Sequence, residues 1–178
     1  MQVSIDGFVA GPEGQLDWMT FSMDAKLIQF INHLTDSSDT ILLGRKMTEG
    51  FISYWEDVTT QPASPEYGFA KKMVDTQKIV FSKTLSHVEG QNVRVENGDV
   101  VEAVNKLKNQ AGKDIIVYGG ANFVSSLIEK GLIDELHFFV NPTAIGSGMR
   151  VFHGRMPFKL MASTAFESGI VVICYEPV

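Results

Sequence analysis

Apolar residues follow two kinds of pattern along the chain, and the first kind predicts β-strands. Eight short runs are rich in β-branched and aromatic residues and are bounded by glycine or polar residues. Several runs are apolar at every position, which indicates strands that are covered on both faces. The eight runs are residues 3–10, 40–43, 78–82, 92–96, 114–118, 135–141, 159–166 and 170–176.

The second kind of pattern repeats every 3.6 residues and predicts helices between the strands. Strands that alternate with helices form a mostly parallel sheet through right-handed crossovers. The last two strands, joined around Ser168-Gly169, predict an antiparallel hairpin. The sequence therefore predicts an α/β protein with a mixed sheet. The helix candidates are residues 27–34, 47–55, 66–76, 100–107 and 123–128.

Length, charge and cysteine content limit the functional classes. The 178 residues are most simply one domain covering 1–178, and a formal charge of −6 argues against nucleic acid as a partner. No apolar run approaches the roughly 18 residues that span a membrane, and no secretory signal is visible. The single cysteine, Cys174, excludes an internal disulfide and a Cys-rich zinc site. We therefore expect a cytoplasmic protein with no metal centre, in which Cys174 is a small buried apolar residue.

Three predicted strands end in turns whose chemistry suits phosphate. In an open α/β sheet, ligands bind beyond the carboxyl ends of the strands, where helix N-termini offer unpaired N–H groups. Each turn alone is more often a plain turn or solvated surface, but three such turns at strand ends of an acidic protein favour a dinucleotide site. The G-x-G-x-x-G fingerprint is absent, which disfavours a standard Rossmann domain. The turns are Gly44-Arg45-Lys46, Ser82-Lys83-Thr84 and Gly119-Gly120.

Several motifs occur in the order typical of one known family. On these motifs the chain resembles the dihydrofolate-reductase-like superfamily, and within it the branch named after the C-terminal reductase domain of the bifunctional riboflavin-biosynthesis deaminase-reductase. The resemblance covers nearly the whole chain, and it implies a three-layer α/β/α fold with a central mixed sheet of about eight strands. The motifs are "VSIDGFVA", "LDWM", "ILLGRKM", "KIVFSKTL", "VYGGANFVSSLIEKGLIDELHFFVNPTAIGSGMRVF" and "GIVVICYEP".

The resemblance also implies an activity. It indicates an NADPH-dependent oxidoreductase similar to 5-amino-6-(5-phosphoribosylamino)uracil reductase, which transfers a hydride to a pyrimidine- or pteridine-type substrate in riboflavin biosynthesis. It further implies a homodimer that binds a small heterocyclic substrate, without nucleic acid or membrane. Two alternatives stay open: dihydrofolate reductase, and an NADP-binding dimer without catalytic activity. The deaminase half is not expected, because a single cysteine cannot form its zinc signature.

Residues that would bind NADP(H) follow from the same resemblance. The first turn falls where the family holds the cofactor's phosphates, and the second matches the adenosine-side loop. Gly119-Gly120 match a glycine pair joined by a cis peptide beside the pyrophosphate. Met47 departs from the family, which often has threonine there. The implied cofactor-binding residues are Gly44, Arg45, Lys46, Ser82, Lys83, Thr84, Gly119, Gly120, Ala121, Asn122 and Phe123.

A reduction of this kind also needs a proton, and a buried carboxyl with a raised pKa is one standard source. By the resemblance, Trp18 takes the position of a tryptophan that precedes the acid in dihydrofolate reductases. Asp24, six residues later, is then the candidate acid. Asp24 is also well placed to cap the first helix. Asp17 and Asp6 are alternatives, and Asp6 matches an aspartate near the substrate of the riboflavin-type reductases.

The loop of residues 143–155 is the candidate substrate loop. Its glycines, Gly146 among them, permit positive φ, and its cationic side chains suit a substrate phosphate. A surface crossover with ordinary solvated charges is the alternative. The predicted substrate-binding residues are Asp17, Gly146 and Arg150.

Overall fold

A computed structural model describes residues 1–20 and 22–178 and shows five helices and eight strands. In chain order these are β1 (Gln2–Val3), α1 (Ala25–Asp36), β2 (Ser38–Gly44), α2 (Arg45–Val58), α3 (Tyr67–Asp75), β3 (Gln77–Phe81), β4 (Val93–Glu96), α4 (Val100–Lys108), β5 (Asp114–Gly119), α5 (Ala121–Glu129), β6 (Leu136–Val140), β7 (Phe158–Ala165) and β8 (Val171–Pro177). None of the described helices has the length and apolar character needed to span a lipid bilayer.

The chain divides into two compact units. The discontinuous unit comprises Met1–Ile31 and Ala121–Val178, and the continuous unit comprises Asn32–Gly120. Each unit contains one four-stranded sheet. The prediction that residues 1–178 form a single domain stays a prediction.

The continuous unit is built on a fully parallel sheet with strand order β4-β3-β2-β5. Its core contains Ile41, Leu43, Phe51, Met73 and Val80, all buried. β2 is buried at five successive positions, from Thr40 to Gly44, which explains why its sequence shows no alternation of polar and apolar residues. The parallel crossovers predicted from the alternation of strands and helices are confirmed in this unit.

The discontinuous unit contains a mixed sheet with strand order β1-β6-β8-β7. β1 pairs with β6 in parallel, and β7 and β8 form the predicted antiparallel hairpin. Phe30 of α1 packs edge-on against the rings of His137, Phe139 and Phe166. This aromatic cluster holds the part of α1 that belongs to this unit against one face of the sheet.

Two predictions about the sheet are wrong. The structure has two sheets of four strands, not one sheet of about eight, because β1 pairs with β6 and β5 pairs with β2. The first strand ends at Val3 instead of reaching residue 10. It ends there because a tight turn follows, in which the Gly7 N–H donates to the Ser4 carbonyl and Gly7 adopts φ +84°. The α/β class and all five predicted helices are confirmed.

Candidate functional site

The three predicted phosphate-type turns lie side by side at one edge of the parallel sheet. Gly44 at the end of β2 is in register with Phe81 at the end of β3. Leu43 of β2 is in register with Gly119 at the end of β5. The carboxyl ends of three neighbouring strands are therefore level, which is the edge where open α/β sheets bind ligands.

The start of α2 has the chemistry of an anion-binding site. Gly44 occupies the N-cap position, and no side chain of the described residues caps the helix there. The first turn carries no acidic residue, and Arg45 and Lys46 are both exposed. Unpaired N–H groups, the positive end of the helix dipole and two cations thus coincide.

The glycine pair at the end of β5 is joined by a cis peptide bond, as predicted. Gly119 has φ +132°, and a Cβ added to it would lie 3.0 Å from Met47 Sδ. A Cβ on Gly120 would make only an ordinary contact, 4.0 Å from Met47 Cβ. Met47, the residue that departs from the family pattern, therefore packs against the glycine pair from the first turn of α2.

Two of the polar side chains in the Ser82-Lys83-Thr84 turn already make hydrogen bonds within the protein. The buried Ser82 hydroxyl accepts hydrogen bonds from the backbone N–H of Thr84 (3.1 Å) and of Leu85 (2.9 Å). The Lys83 ammonium donates to the carbonyl of Gly98 at 2.7 Å. Thr84 is exposed. This turn therefore offers fewer free groups than its sequence suggests.

The remaining predicted cofactor-binding residues open α5 in the discontinuous unit. Ala121, Asn122 and Phe123 are its first three residues and follow the glycine pair directly. The first turn of α5 has no acidic residue, so no carboxylate of the helix offsets its positive end. Asn122 is exposed.

Asp6, Gly146 and Arg150 come together in the discontinuous unit. The Asp6 carboxylate accepts hydrogen bonds from the Ser4 hydroxyl (2.7 Å) and from the backbone N–H of Gly146 (2.7 Å) and Ile145 (3.2 Å). The Ser4 hydroxyl and these N–H groups lower the pKa of Asp6, so the carboxylate is ionised at neutral pH. The Arg150 guanidinium lies 4.3 Å from the centre of the Phe8 ring. Asp6 therefore holds the candidate substrate loop, and its lowered pKa does not favour proton donation.

Asp24, the predicted acid, is the N-cap of α1. Its carboxylate accepts from the N–H groups of Lys26 and Leu27, both at 3.0 Å, and from Ser168 N–H at 3.1 Å. The hydrogen bond from Leu27, with those from Ser168 and Lys26, lowers the pKa of Asp24. A proton donor needs a raised pKa. The structure thus favours the capping role over the catalytic one.

Asp17 and Trp18 lie on a separate loop. Asp17 is exposed, and the half-buried Trp18 donates its indole N–H to the Gln15 carbonyl at 3.1 Å. The loop is anchored by Asn141, a fully buried residue that is not among the predicted site residues. Asn141 Oδ1 accepts from the Thr20 N–H at 2.8 Å. The only sequence signal for this role is a polar residue that ends the apolar run "HFFV".

Comparison with known proteins finds relatives in sequence and similar structures. An uncharacterized Bacillus subtilis (strain 168) protein, YyaP, is 34% identical over 182 residues, which cover 99% of this chain and 92% of YyaP. A Thermotoga maritima deaminase/5-amino-6-(5-phosphoribosylamino)uracil reductase superposes with a TM-score of 0.67 at 17% identity, covering 99% of this chain and 55% of that protein.

A dihydrofolate reductase from Enterococcus faecalis, solved with NADP(H), superposes with a TM-score of 0.62 at 17% identity, covering 99% of this chain and 92% of that one. The superpositions on the Thermotoga maritima and Enterococcus faecalis proteins show the dihydrofolate reductase-like fold. The sequence profile of the RibD C-terminal domain matches residues 1–172. The branch expected from the motifs is confirmed, and the chain belongs to the RibD C-terminal domain family.

Proposed function

We propose that this protein is an NADPH-dependent reductase that acts on a phosphoribosylaminopyrimidine, of the class to which 5-amino-6-(5-phosphoribosylamino)uracil belongs. Membership of the RibD C-terminal domain family supports a reductase of this type. The observation that carries the proposal is the level alignment of three strand-end turns beside the uncapped start of α2.

The residues of the continuous unit fit the phosphates of NADP(H). Gly119-Gly120 present a backbone without side chains on the same sheet edge, which suits a pyrophosphate. Arg45 and Lys46 are exposed cations at a helix N-terminus and suit the 2′-phosphate. NADPH, when bound, supplies the hydride. Ser82 and Lys83 shape the neighbouring turn, in which the Ser82 hydroxyl is held by backbone N–H groups.

The cluster around Asp6 in the discontinuous unit suits the substrate. Asp6 fixes Ile145 and Gly146 through their N–H groups and so sets the path of the loop that carries Arg150. Arg150 is exposed, and its stacking on Phe8 restricts the guanidinium without neutralising it. We assign Arg150 to the substrate phosphate and Asp6 to the positioning of the loop.

One observation favours a second candidate, the NADP-binding dimer without catalytic activity. The Asp6 carboxylate accepts from the Ser4 hydroxyl and the Asp24 carboxylate from the Leu27 N–H, and each bond lowers the pKa of its acceptor, so neither matches the proton donor that reduction of a C=N bond needs. The same observation counts against dihydrofolate reductase, whose acid the sequence had assigned to Asp24. Asp17 is exposed and stays a candidate acid.

Turnover separates these functions. NADPH oxidation is measured with the aminopyrimidine phosphate and, in parallel, with dihydrofolate. We expect turnover with the first substrate and a higher KM in Arg150→Ala, while Lys159→Ala, an exposed cation on β7, behaves as the unmodified protein. Turnover with dihydrofolate alone would favour dihydrofolate reductase. NADPH binding without turnover of either substrate would favour the non-catalytic dimer.

A further inference from the structure

Three side chains of metal-binding type lie together at the start of β6. His137 and Cys174 are direct partners in the antiparallel pairing of β6 with β8, so their side chains project from the same face. Glu135 precedes His137 by two residues and faces the same side. One ligand atom from each residue lies within 4.8 Å of the other two.

The cluster is shielded on one side and open on the other. Cys174 is 8% exposed, and the His137 ring packs edge-on against Phe30. The Glu135 side chain is half-exposed and contacts His137 Nε2, which leaves an approach from solvent. His137 Nδ1 is buried and has no hydrogen-bond partner among the described residues. The ring nitrogen that faces Glu135 is Nε2, so Nε2 is the atom that would coordinate an ion in this cluster.

The ligand types select the metal. Mg²⁺ and Ca²⁺ prefer oxygen ligands, whereas a thiolate beside an imidazole and a carboxylate is a set that suits Zn²⁺. In tetrahedral zinc sites, Zn–N and Zn–S bonds of about 2.0–2.3 Å separate neighbouring ligand atoms by about 3.3–3.6 Å. That separation is compatible with the 4.8 Å cluster after small side-chain rotations.

We propose that Glu135, His137 and Cys174 bind a divalent transition metal ion of the zinc type. The Cys174 thiol loses its proton to solvent on binding, and the thiolate, imidazole and carboxylate coordinate the ion. The ion would join β6 to β8 at the end of β6 that lies away from Asn141 and the substrate loop. No metal centre was predicted from the sequence, because only the strand register brings His137 and Cys174 together.

The test is a titration of the metal-free, reduced protein with Zn²⁺, in which isothermal titration calorimetry measures the affinity and the number of ions bound. We expect one ion per chain and a loss of affinity of at least about 100-fold in Cys174→Ser and in His137→Asn. Glu135→Gln, which changes a half-exposed side chain, should also weaken binding. His87→Asn is the matched control, because His87 contacts Glu89 at 3.1 Å and both side chains are exposed.

Cobalt provides a second readout that a surface histidine would not give. Co²⁺ bound to a thiolate shows a near-ultraviolet charge-transfer band. The band should appear in the unmodified protein and in His87→Asn, and be absent in Cys174→Ser. The proposal is overturned if Zn²⁺ does not bind, if Glu135→Gln and Cys174→Ser bind Zn²⁺ as the unmodified protein does, or if bound Co²⁺ shows no such band.

Discussion

Helices α2 and α4 both follow a strand of the parallel sheet in the continuous unit, yet their N-termini are built in opposite ways. In α4, the Asp99 carboxylate accepts from the N–H groups of Val101 (2.8 Å) and Glu102 (3.1 Å), and Glu102 adds a second negative charge. In α2, Gly44 provides no cap, and two cations occupy the first helical positions.

The difference separates stability from binding. A side-chain cap contributes about 1 kcal/mol to the free energy of unfolding, so the Asp99 cap of α4 stabilises the fold. α2 forgoes that stabilisation at the sheet edge where Gly119-Gly120 also end β5 without side chains. An uncapped helix end beside cations and a strand end without side chains is suited to an external anion.

The largest effect is expected when the N-terminus of α2 is given negative charge, as the N-terminus of α4 has. In Arg45→Glu/Lys46→Glu, NADPH affinity should fall by roughly 100-fold, because two charge-assisted contacts are lost and repulsion is added. Stability should not fall, since acidic residues favour a helix N-terminus. Fluorescence titration measures the affinity, and Lys106→Glu, in the last turn of α4, is the control. Unchanged affinity in the double variant would remove the phosphate site from α2.

A smaller effect is expected at the strand end beside α2. Gly119→Ala should lower the free energy of unfolding by about 1–3 kcal/mol, because φ is +132° and the new Cβ would lie 3.0 Å from Met47 Sδ. Gly50→Ala, inside α2 with no atom within 4 Å of the new Cβ, should instead gain about 0.5–1 kcal/mol. Urea denaturation of both variants gives the comparison, and equal stabilities would contradict it.

Removing the cap of α4 should affect the fold alone. Asp99→Ala should cost about 1 kcal/mol of unfolding free energy, since two N–H groups lose their acceptor. NADPH affinity should stay as in the unmodified protein. Denaturation and fluorescence titration of the same preparation check both parts. A large loss of NADPH affinity would mean that the two helix ends are not distinct in function.

The smallest effect is expected at the cap of α1. Asn at position 24 keeps an acceptor oxygen but removes the charge, so Asp24→Asn should be slightly less stable at neutral pH. The folded pKa of Asp24 lies below its ordinary value of 3.8, so this stabilisation is present above that value and is lost as the pH falls through the folded pKa. Denaturation at pH 7 and at pH 3 measures the change.

Turnover of the same variant tests the role of Asp24. A capping role predicts full activity of Asp24→Asn with a competent substrate. A large fall in kcat without a change in the stability of the fold would restore Asp24 as the proton donor.

Much of the fold could be predicted, because the positions of most helices and strands follow from local patterns of apolar residues. The five helices followed their apolar period, and β2 and β3 followed apolar runs that the structure buries. The predicted first strand was too long, because "VSIDGFVA" has the composition of a strand. In the structure, hydrogen bonds between Ser4 and Phe8 fold this segment into a turn. The division into two sheets could not be predicted, since it depends on which distant strands pair.

For the candidate site, sequence patterns located the strand-end turns but not the bonds that each side chain makes. The Ser82 hydroxyl looked available for a phosphate, yet it is held by its own turn. Asp24 looked like an acid, yet three N–H groups hold it ionised. Asn141 was missed, because its partner Thr20 is far away in the sequence.

The most direct test of the account is a side-by-side titration of the unmodified protein with NADPH and with NADH. The assignment of Arg45 and Lys46 to the 2′-phosphate predicts that NADPH binds at least about 10-fold more tightly, because NADH lacks the group that these cations contact. Equal affinity for the two cofactors would contradict the account.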